Sequence, residues 1–447
     1  MLIYAEQLSS RLEYIVDLVN AELFSEPAVI TTSPDVFRHY DGVKINYSPK
    51  PVAEKEFHII PHNLLFEEDI RNQSPVCFEW QSHKVFFKTA VSGDDPEPDI
   101  PFDIFAACFY LVSRYEEYLP HEKDSYGRYP HTSSLAYKEG FLQDPLVDYW
   151  LLRLQELLQS RFSGVLFRRR NFRFVPTYDI DIMYAYKGKG LKRNIGGIFR
   201  NMMHGQWPLV NQRIGVLRGK QRDPHDAYEW LDALHLYCRV KPIYFFLVAQ
   251  QQEGYDRNLP TELQAFQDLI KYYATAYEVG LHPSWRSSVS PGDNILKEEK
   301  EWMEVITDIP IVQSRQHYIK FDLPHTYERL IRAGIKRDYS MGYGSINGFR
   351  ASISSPFRWF NLNSNTATNL EIWPFCFMDA NAFYEQKLSP GQAYTDLMRY
   401  YASVKKVRGT FITIWHNNFL GTDPLYKGWR ELYEIFMKED AYWDAGA

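Results

Sequence analysis

A parallel α/β sheet or a (β/α) barrel is the architecture this sequence predicts for its C-terminal two-thirds, with a smaller α/β unit in front of it. Three observations predict it. From about Asn171 onward, short apolar runs alternate with helical stretches, and strand–helix alternation over such a length builds parallel sheets and barrels. The runs are short enough to be buried strands. Titratable residues follow directly on the ends of five of the runs, the edge at which such folds collect their chemistry.

Residues 1–165 read as one α/β unit. The chain opens on an amphipathic stretch, MLIYAEQLSSRLEYIVDLV, with acids at Glu6 and Glu13. Short strand candidates follow at Ala28–Thr32 and Val85–Lys88. A proline- and acid-rich loop, Gly93–Pro101, leads into a helix over Phe102–Tyr118, with Ile104, Phe105, Cys108, Leu111 and Val112 near helical spacing. A second helix is expected over Pro145–Ser160. Glu116 and Glu117 would occupy adjacent helical positions and share no face.

Residues 166–447 form the larger unit. Its expected strands are Phe172–Tyr178, Pro242–Val248, Tyr277–Leu281, Pro310–Ser314, Leu370–Phe377 and Thr410–Trp415. Helical patterns lie between them at Asp226–Cys238, Glu262–Ala276, Lys297–Ile306, Pro324–Ala333 and Gly391–Val407. The fourth opens on Pro324 and is closed by Gly334, the asymmetry that helix ends prefer. No internal repeat interrupts the pattern.

Composition narrows the function classes. The 447 residues carry a net charge of -6, which argues against a nucleic-acid partner, since that needs a basic face. The local run FRRRNFR, Phe167–Arg173, reads as a solvated strand entry. The cysteines at 77, 108, 238 and 376 lie far apart in mostly apolar settings and read as reduced core residues. No apolar stretch reaches transmembrane length and no leader is evident, so a cytoplasmic protein is expected. Aromatic residues make up 16% of the chain, and such rings often line sugar sites, where a face stacks and a rim hydrogen-bonds.

The residues that follow the strands make chemical sense together. They are Asp179 and Asp181, then His282, then Arg315 and His317, then Asp379, then His416. Two imidazoles and a carboxylate make an open three-ligand site for zinc or a similar divalent ion. A second carboxylate can act as general base, and a further histidine can protonate a leaving group. This is equipment for metal-assisted hydrolysis of an amide or ester.

At these positions the sequence resembles the NodB-like polysaccharide deacetylases, carbohydrate esterase family four. TYDID at Thr177–Asp181 is similar to that family's first motif, and YEVGLHPSW at Tyr277–Trp285 to its second. SRQHY at Ser314–Tyr318 falls at the third, and IWHNN at Ile414–Asn418 at the last. DIFAACFYLVSRYEEY at Asp103–Tyr118 resembles the domain that precedes the barrel in a bacterial subfamily.

The resemblance implies a distorted (β/α)7 TIM-like barrel that removes N-acetyl groups from a sugar or polysaccharide, with cell-envelope polysaccharide as the expected setting. It implies Asp179 as base, Asp181 and His282 as metal ligands, Arg315 orienting the base, and His416 as general acid. The departures are specific. Ile180 separates the two aspartates. Arg286 stands where the family has a second histidine, so His317 is expected to supply the third ligand. Gln316 and His317 stand where the third motif carries a proline.

Asp379 is expected to pair with Arg315, Arg350 or His416 and to raise an imidazole's basicity. The Gly- and Ser-rich segment Gly342–Phe357 reads as an active-site loop touching substrate through Tyr343 and Arg350. Trp285 and Trp415 are expected either to wall an acetyl pocket or to pack in the core, and a backbone N–H near Tyr178 to face the oxyanion. Two rival readings are a non-catalytic carbohydrate-binding protein on the same fold, and a hydrolase of another amide or ester.

Overall fold

A computed structural model describes residues 1–90, 96–252, 254–290 and 292–444, the last four of these by backbone only. Residues 93–95 of the expected Gly93–Pro101 loop lie outside the described residues. The amphipathic opening stretch divides into a strand and a helix. Strand β1 (Leu2–Ala5) sits between β2 (Val29–Thr31) and β3 (Lys44–Tyr47), and β4 (Phe57–Ile59) follows β3 in a wholly parallel sheet. All four residues of β1 are buried, so no polar alternation marks it in sequence. The helix Ser10–Leu23 then starts at Ser9, whose hydroxyl accepts the Leu12 N–H at 3.1 Å. It buries Leu12, Ile15, Val16, Val19 and Leu23 on one stripe. An antiparallel pair, β5 (Phe78–Trp80) and β6 (His83–Val85), completes the strands of this part.

The second sheet has nine strands. They are β7 (Arg173–Ile180), β8 (Ile243–Leu247), β9 (Glu278–His282), β10 (Gln313–Ser314), β11 (Arg337–Asp338), β12 (Phe357–Asn361), β13 (Thr366–Ile372), β14 (Phe377–Met378) and β15 (Thr410–His416). Their spatial order is β12-β13-β11-β10-β9-β8-β7-β15-β14. Every neighbouring pair is parallel except the β12–β13 hairpin.

The expected strand Leu370–Phe377 is therefore two strands, split around Pro374, which has no N–H to give to a ladder. Ile372 and Phe377 lie far apart in the strand order, yet the short link between them spans at most ~18 Å. The sheet must curl strongly for β13 and β14 to approach. No ladder joins them among the described residues, so the expected barrel is not closed by strand pairing. The expected loop Gly342–Phe357 ends in β12 instead of continuing irregularly. Two helices that were not expected, Gly190–Met203 and Trp207–Leu217, lie between β7 and β8, and few of their residues are buried.

One hydrophobic core runs through both parts. The helix Ile104–Val112 is apolar all round, and all nine of its residues are buried. Tyr14 Oη donates to the Arg358 carbonyl at 2.7 Å, and Arg11 Nε to Asn365 Oδ1 at 2.8 Å.

A buried ion cluster ties the parts further. Arg114 takes a left-handed conformation, φ 55°, ahead of the short helical turn Tyr115–Tyr118. Both Glu116 (2.7 Å) and Glu117 (2.8 Å) then reach its guanidinium, contrary to the expectation that they share no face. Arg350 completes the cluster with two bonds to Glu117, at 2.8 and 2.6 Å. Burial works to raise the Glu117 pKa, but Arg350 and Arg114 outweigh it and hold the carboxyl at about 2. Glu117→Ala strands the buried Arg350 and leaves Arg114 with Glu116 alone, so it should cost about 3–5 kcal/mol. Urea unfolding reads this directly; a loss under about 1 kcal/mol would show the cluster to be relaxed by water.

Candidate functional site

Strand parity aims the site. Successive side chains on a strand point to opposite faces. On β7, Asp179 points to the inside of the curled sheet while Tyr178 points out to the helices. His416 pairs in register with Asp179 on the adjacent parallel strand. His282 ends β9, Arg315 and His317 follow β10, and Asp379 follows β14. Six of the proposed residues therefore arrive at the C-terminal ends of strands, with Asp181 one residue beyond β7. They meet at a cavity of about 450 Å³ lined by Asp179, Asp181, His282, His317 and His416.

Three side chains could hold a cation. Oxygen and nitrogen atoms of Asp181, His282 and His317 all lie within 4.8 Å of one another. His282 Nδ1 lies 2.6 Å from the Arg315 carbonyl, which can only accept, so Nδ1 carries the hydrogen and Nε2 the lone pair. His317 Nδ1 likewise donates to Asp256 Oδ1 at 3.0 Å. Each ring thus turns Nε2 toward Asp181, at 3.1 Å for His282 and 3.6 Å for His317. Asp181 Oδ1 is buried without a hydrogen bond of good geometry, an acceptor that a bound cation would satisfy. An imidazole anchored through its other nitrogen is the usual form of a metal-ligating histidine.

The charges agree. Burial works to lower the His317 pKa, but Asp181 and Asp256 outweigh it and raise it to about 9. The same negative field would retain a divalent cation, which would displace that proton. The residues fit a metal.

Two further pairs flank these three. Arg315 is fully buried and donates from Nη1 to Asp179 Oδ1 at 2.8 Å and from Nε to the Tyr339 carbonyl at 3.1 Å. Its guanidinium lies 4.4 Å from the Phe245 ring centroid. That ring occupies the space beside Gly280, where an added Cβ would come within 2.4 Å of it. A glycine in β9 is therefore what lets Phe245 support the arginine. His416 Nδ1 lies 2.6 Å from Asp379 Oδ1, and Asp379 Oδ2 accepts the His416 N–H at 2.7 Å. Asp379 thus pairs with His416, not with Arg315 or Arg350. Burial works against the His416 cation, but Asp379, then Asp181 and Asp179, lift its pKa to about 10. His416 Nε2 faces Asp181 Oδ2 at 3.6 Å.

Four side chains expected near substrate face elsewhere, which leaves the backbone N–H expected near Tyr178 untouched. Tyr178 is buried on the helix side, where its hydroxyl hydrogen-bonds His235 Nε2 at 2.6 Å and also meets Tyr433. Trp415 is buried on that same side against Tyr433 and Trp429. Both are sequence neighbours of inward-facing residues, and parity sends them outward. Tyr343 receives a hydrogen bond from Arg114 Nη2 at 3.3 Å, and Arg350 is held by Glu117. Neither lines the cavity. Trp285 lies beside its mouth among Tyr126, Tyr255 and Tyr318.

Three contributors were not legible in sequence. Asp256 lies in the loop after β8, well past the strand end. Tyr126 and Arg128 come from the N-terminal part, yet line the cavity; a Tyr–Gly–Arg turn carries no chemical signature. A larger cavity, about 540 Å³, lies between helix Ser10–Leu23 and the β12–β13 hairpin, but no histidine lines it.

His235 yields a pH prediction. Burial depresses its pKa to about 3, whereas an unfolded histidine protonates near 6.5. Between these values the unfolded chain binds the extra proton, so stability falls as pH drops below about 6.5, by up to ~1.4 kcal/mol per pH unit. Urea midpoints at pH 7 and 5.5 should fall less in His235→Gln than in the wild type. An identical fall in both would refute the assignment.

The profile of a family of unknown function, DUF7033, matches residues 1–163. No curated protein matches the chain. Among solved structures, the fold is similar to a protein assigned as a polysaccharide deacetylase from Mycobacterium smegmatis, at 13% identity and a TM-score of 0.39, over 61% of this chain and 84% of that one. It is also similar to the polysaccharide deacetylase Bc1974 from Bacillus cereus, at 12% identity and a TM-score of 0.31, over 61% and 88%. A CE4 family pseudoenzyme from Bacillus anthracis is similar at 9% identity and a TM-score of 0.29, over 60% and 61%.

Proposed function

We propose that this protein is a metal-dependent hydrolase that removes N-acetyl groups from a sugar or polysaccharide, on a distorted barrel of which the curled sheet is the wall. One observation carries the reading: Asp181 and the Nε2 atoms of His282 and His317 converge while both Nδ1 atoms are already engaged. Zinc is the expected ion, from the mixed nitrogen and oxygen donor set. A divalent ion held there supplies Lewis acidity toward the acyl oxygen.

The protein's own groups do the rest. Asp179 keeps Oδ1 on Arg315 and offers its other oxygen to take a proton from the attacking water. His416, cationic at neutral pH, gives its Nε2 proton to the departing amine nitrogen. Asp379 fixes that ring by accepting from both Nδ1 and the backbone N–H. Asp256 holds the His317 ring through Nδ1 alone. One proton enters at Asp179 and one leaves from His416, so acetate and the free amine are the products.

The test is acetate release from a tetramer of β-1,4-linked N-acetylglucosamine, with zinc added and after chelation. Release that depends on the metal supports the reading. No release with zinc, cobalt, nickel or manganese would overturn it.

A further inference from the structure

Helix Gly190–Met203 is turned inside out. A surface helix normally packs its apolar stripe on the core and shows its polar face to water. Here the buried residues are Asn194 and Asn201. Asn194 Nδ2 donates to the Tyr186 and Gly190 carbonyls at 3.1 and 3.0 Å, and Asn194 Oδ1 accepts from Arg213 Nη1 at 3.1 Å. Arg213 belongs to the next helix, Trp207–Leu217, and lies over the Tyr186 ring at 4.3 Å. It also packs against Gly197, where an added Cβ would come within 2.6 Å of it. Polar contacts thus fix the helix to the fold and leave its apolar side chains to solvent. Leu191, Ile195, Phe199 and Met202 recur at i, i+4, i+8 and i+11, so they share one face. They are 77%, 56%, 64% and 43% exposed, and Trp207, past the next turn, is 54% exposed. Single exposed apolar residues are ordinary, whereas a contiguous stripe of them marks an interaction surface.

The charge around the stripe has one sign. Residues 182–222 hold nine Lys and Arg and no Asp or Glu, in a chain whose net charge is -6. Lys187 and Arg222, near the ends of this segment, pair with Asp226 and Glu229 outside it. Lys192, Arg193, Arg200, Arg218 and Lys220 are exposed. The segment leaves and rejoins the fold beside the strand-end cavity. Asn417, next to His416, donates there to the Ile182 and His225 carbonyls, both at 3.0 Å.

We propose that helix Gly190–Met203, together with Trp207, docks on an anionic lipid bilayer and lies in its interface. The stripe matches the boundary between headgroups and acyl chains, and the Lys and Arg side chains match anionic headgroups. Trp207 suits the same depth, since indole rings settle at the headgroup level. Fourteen residues make a helix about 21 Å long, short of the ~30 Å hydrocarbon core, so it lies on the bilayer and does not cross it. A nucleic acid would use the cations but leave Leu191, Ile195 and Phe199 in water. A second copy of the chain would bring like charges together around the stripe. Docking holds the cavity near the bilayer, and it stands whether or not the deacetylase reading does.

The test is co-sedimentation of the full chain with vesicles of phosphatidylcholine alone and of equal parts phosphatidylcholine and phosphatidylglycerol. The wild type should bind the mixed vesicles at least about tenfold more tightly than the neutral ones. Ile195→Ser with Phe199→Ser should weaken binding to the mixed vesicles about tenfold or more, and so should Lys192→Gln with Arg193→Gln. All four positions are exposed, so far-ultraviolet circular dichroism and the urea midpoint should match the wild type, which separates lost docking from a lost fold. No binding to the mixed vesicles, or wild-type affinity in either double variant, would overturn the proposal. Self-association that Ile195→Ser with Phe199→Ser abolishes, without vesicle binding, would overturn it too and assign the stripe to a second copy.

Discussion

Asp179→Asn is expected to slow acetate release by about 10²- to 10⁴-fold, the usual worth of a positioned general base. The substitution is close to isosteric. The amide side chain would keep an oxygen for the Arg315 bond now made at 2.8 Å, but it could not take a proton. The cost to the fold is the exposed point of the experiment. Arg315 is fully buried and would lose its counter-charge, which removes up to about 3–5 kcal/mol of stability. Rates are therefore to be measured well below the unfolding midpoint of the variant, with far-ultraviolet circular dichroism and zinc content as controls. A variant that is folded, metal-loaded and as active as the wild type would remove Asp179 from the chemistry. A low rate with full zinc content assigns the loss to proton transfer rather than to the metal.

The second large effect concerns the metal. Zinc should bind near one equivalent per chain in the wild type, and His282→Ala and His317→Ala should each abolish stoichiometric binding. Both rings have their Nδ1 atoms engaged, at 2.6 and 3.0 Å, so each loses a fixed ligand and not a mobile one. Asp256→Asn should weaken zinc about 10- to 100-fold while leaving the three donors in place, as disruption of an outer partner does. Because the ion binds only the folded chain, zinc at 100 times its Kd should stabilise the wild type by ~2.7 kcal/mol. That gain should vanish in His282→Ala. Zinc retained in His317→Ala but lost in His282→Ala would exclude His317 and leave the third ligand elsewhere. The His317 result is the sharpest, because this histidine arrives after β10, whereas Arg286 occupies the position four residues past His282.

Much of the parallel architecture was legible because buried strands and amphipathic helices differ in period and length. The expected strands at Phe172–Tyr178, Pro242–Val248, Tyr277–Leu281 and Thr410–Trp415 coincide with β7, β8, β9 and β15 to within a few residues. Short strands were less legible. Strand β1 is apolar throughout and merged with the helix behind it. Strand β14 is only two residues long and merged with β13, although the two stand far apart in the sheet.

The site divides along a similar line. Residues at strand ends could be found because chain order already places them on one edge of a parallel sheet. Their neighbours Tyr178 and Trp415 could not be told apart from them by position alone. A shift of one residue along a strand reverses the face, and only the burial of the other face settles which is which.

What the sequence by itself determined is the set of chemically able groups and the edge at which they collect: Asp179, Asp181, His282, Arg315, His317, Asp379 and His416. Tertiary structure alone decided which of them pair. Asp379 chose His416 over two arginines, Asp256 reached His317 from a distant loop, and Glu117 claimed Arg350 for the junction between the two parts. The physical reason is that strand ends are set by local periodicity, whereas a buried charge takes whichever counter-charge the packed loops bring within about 3 Å.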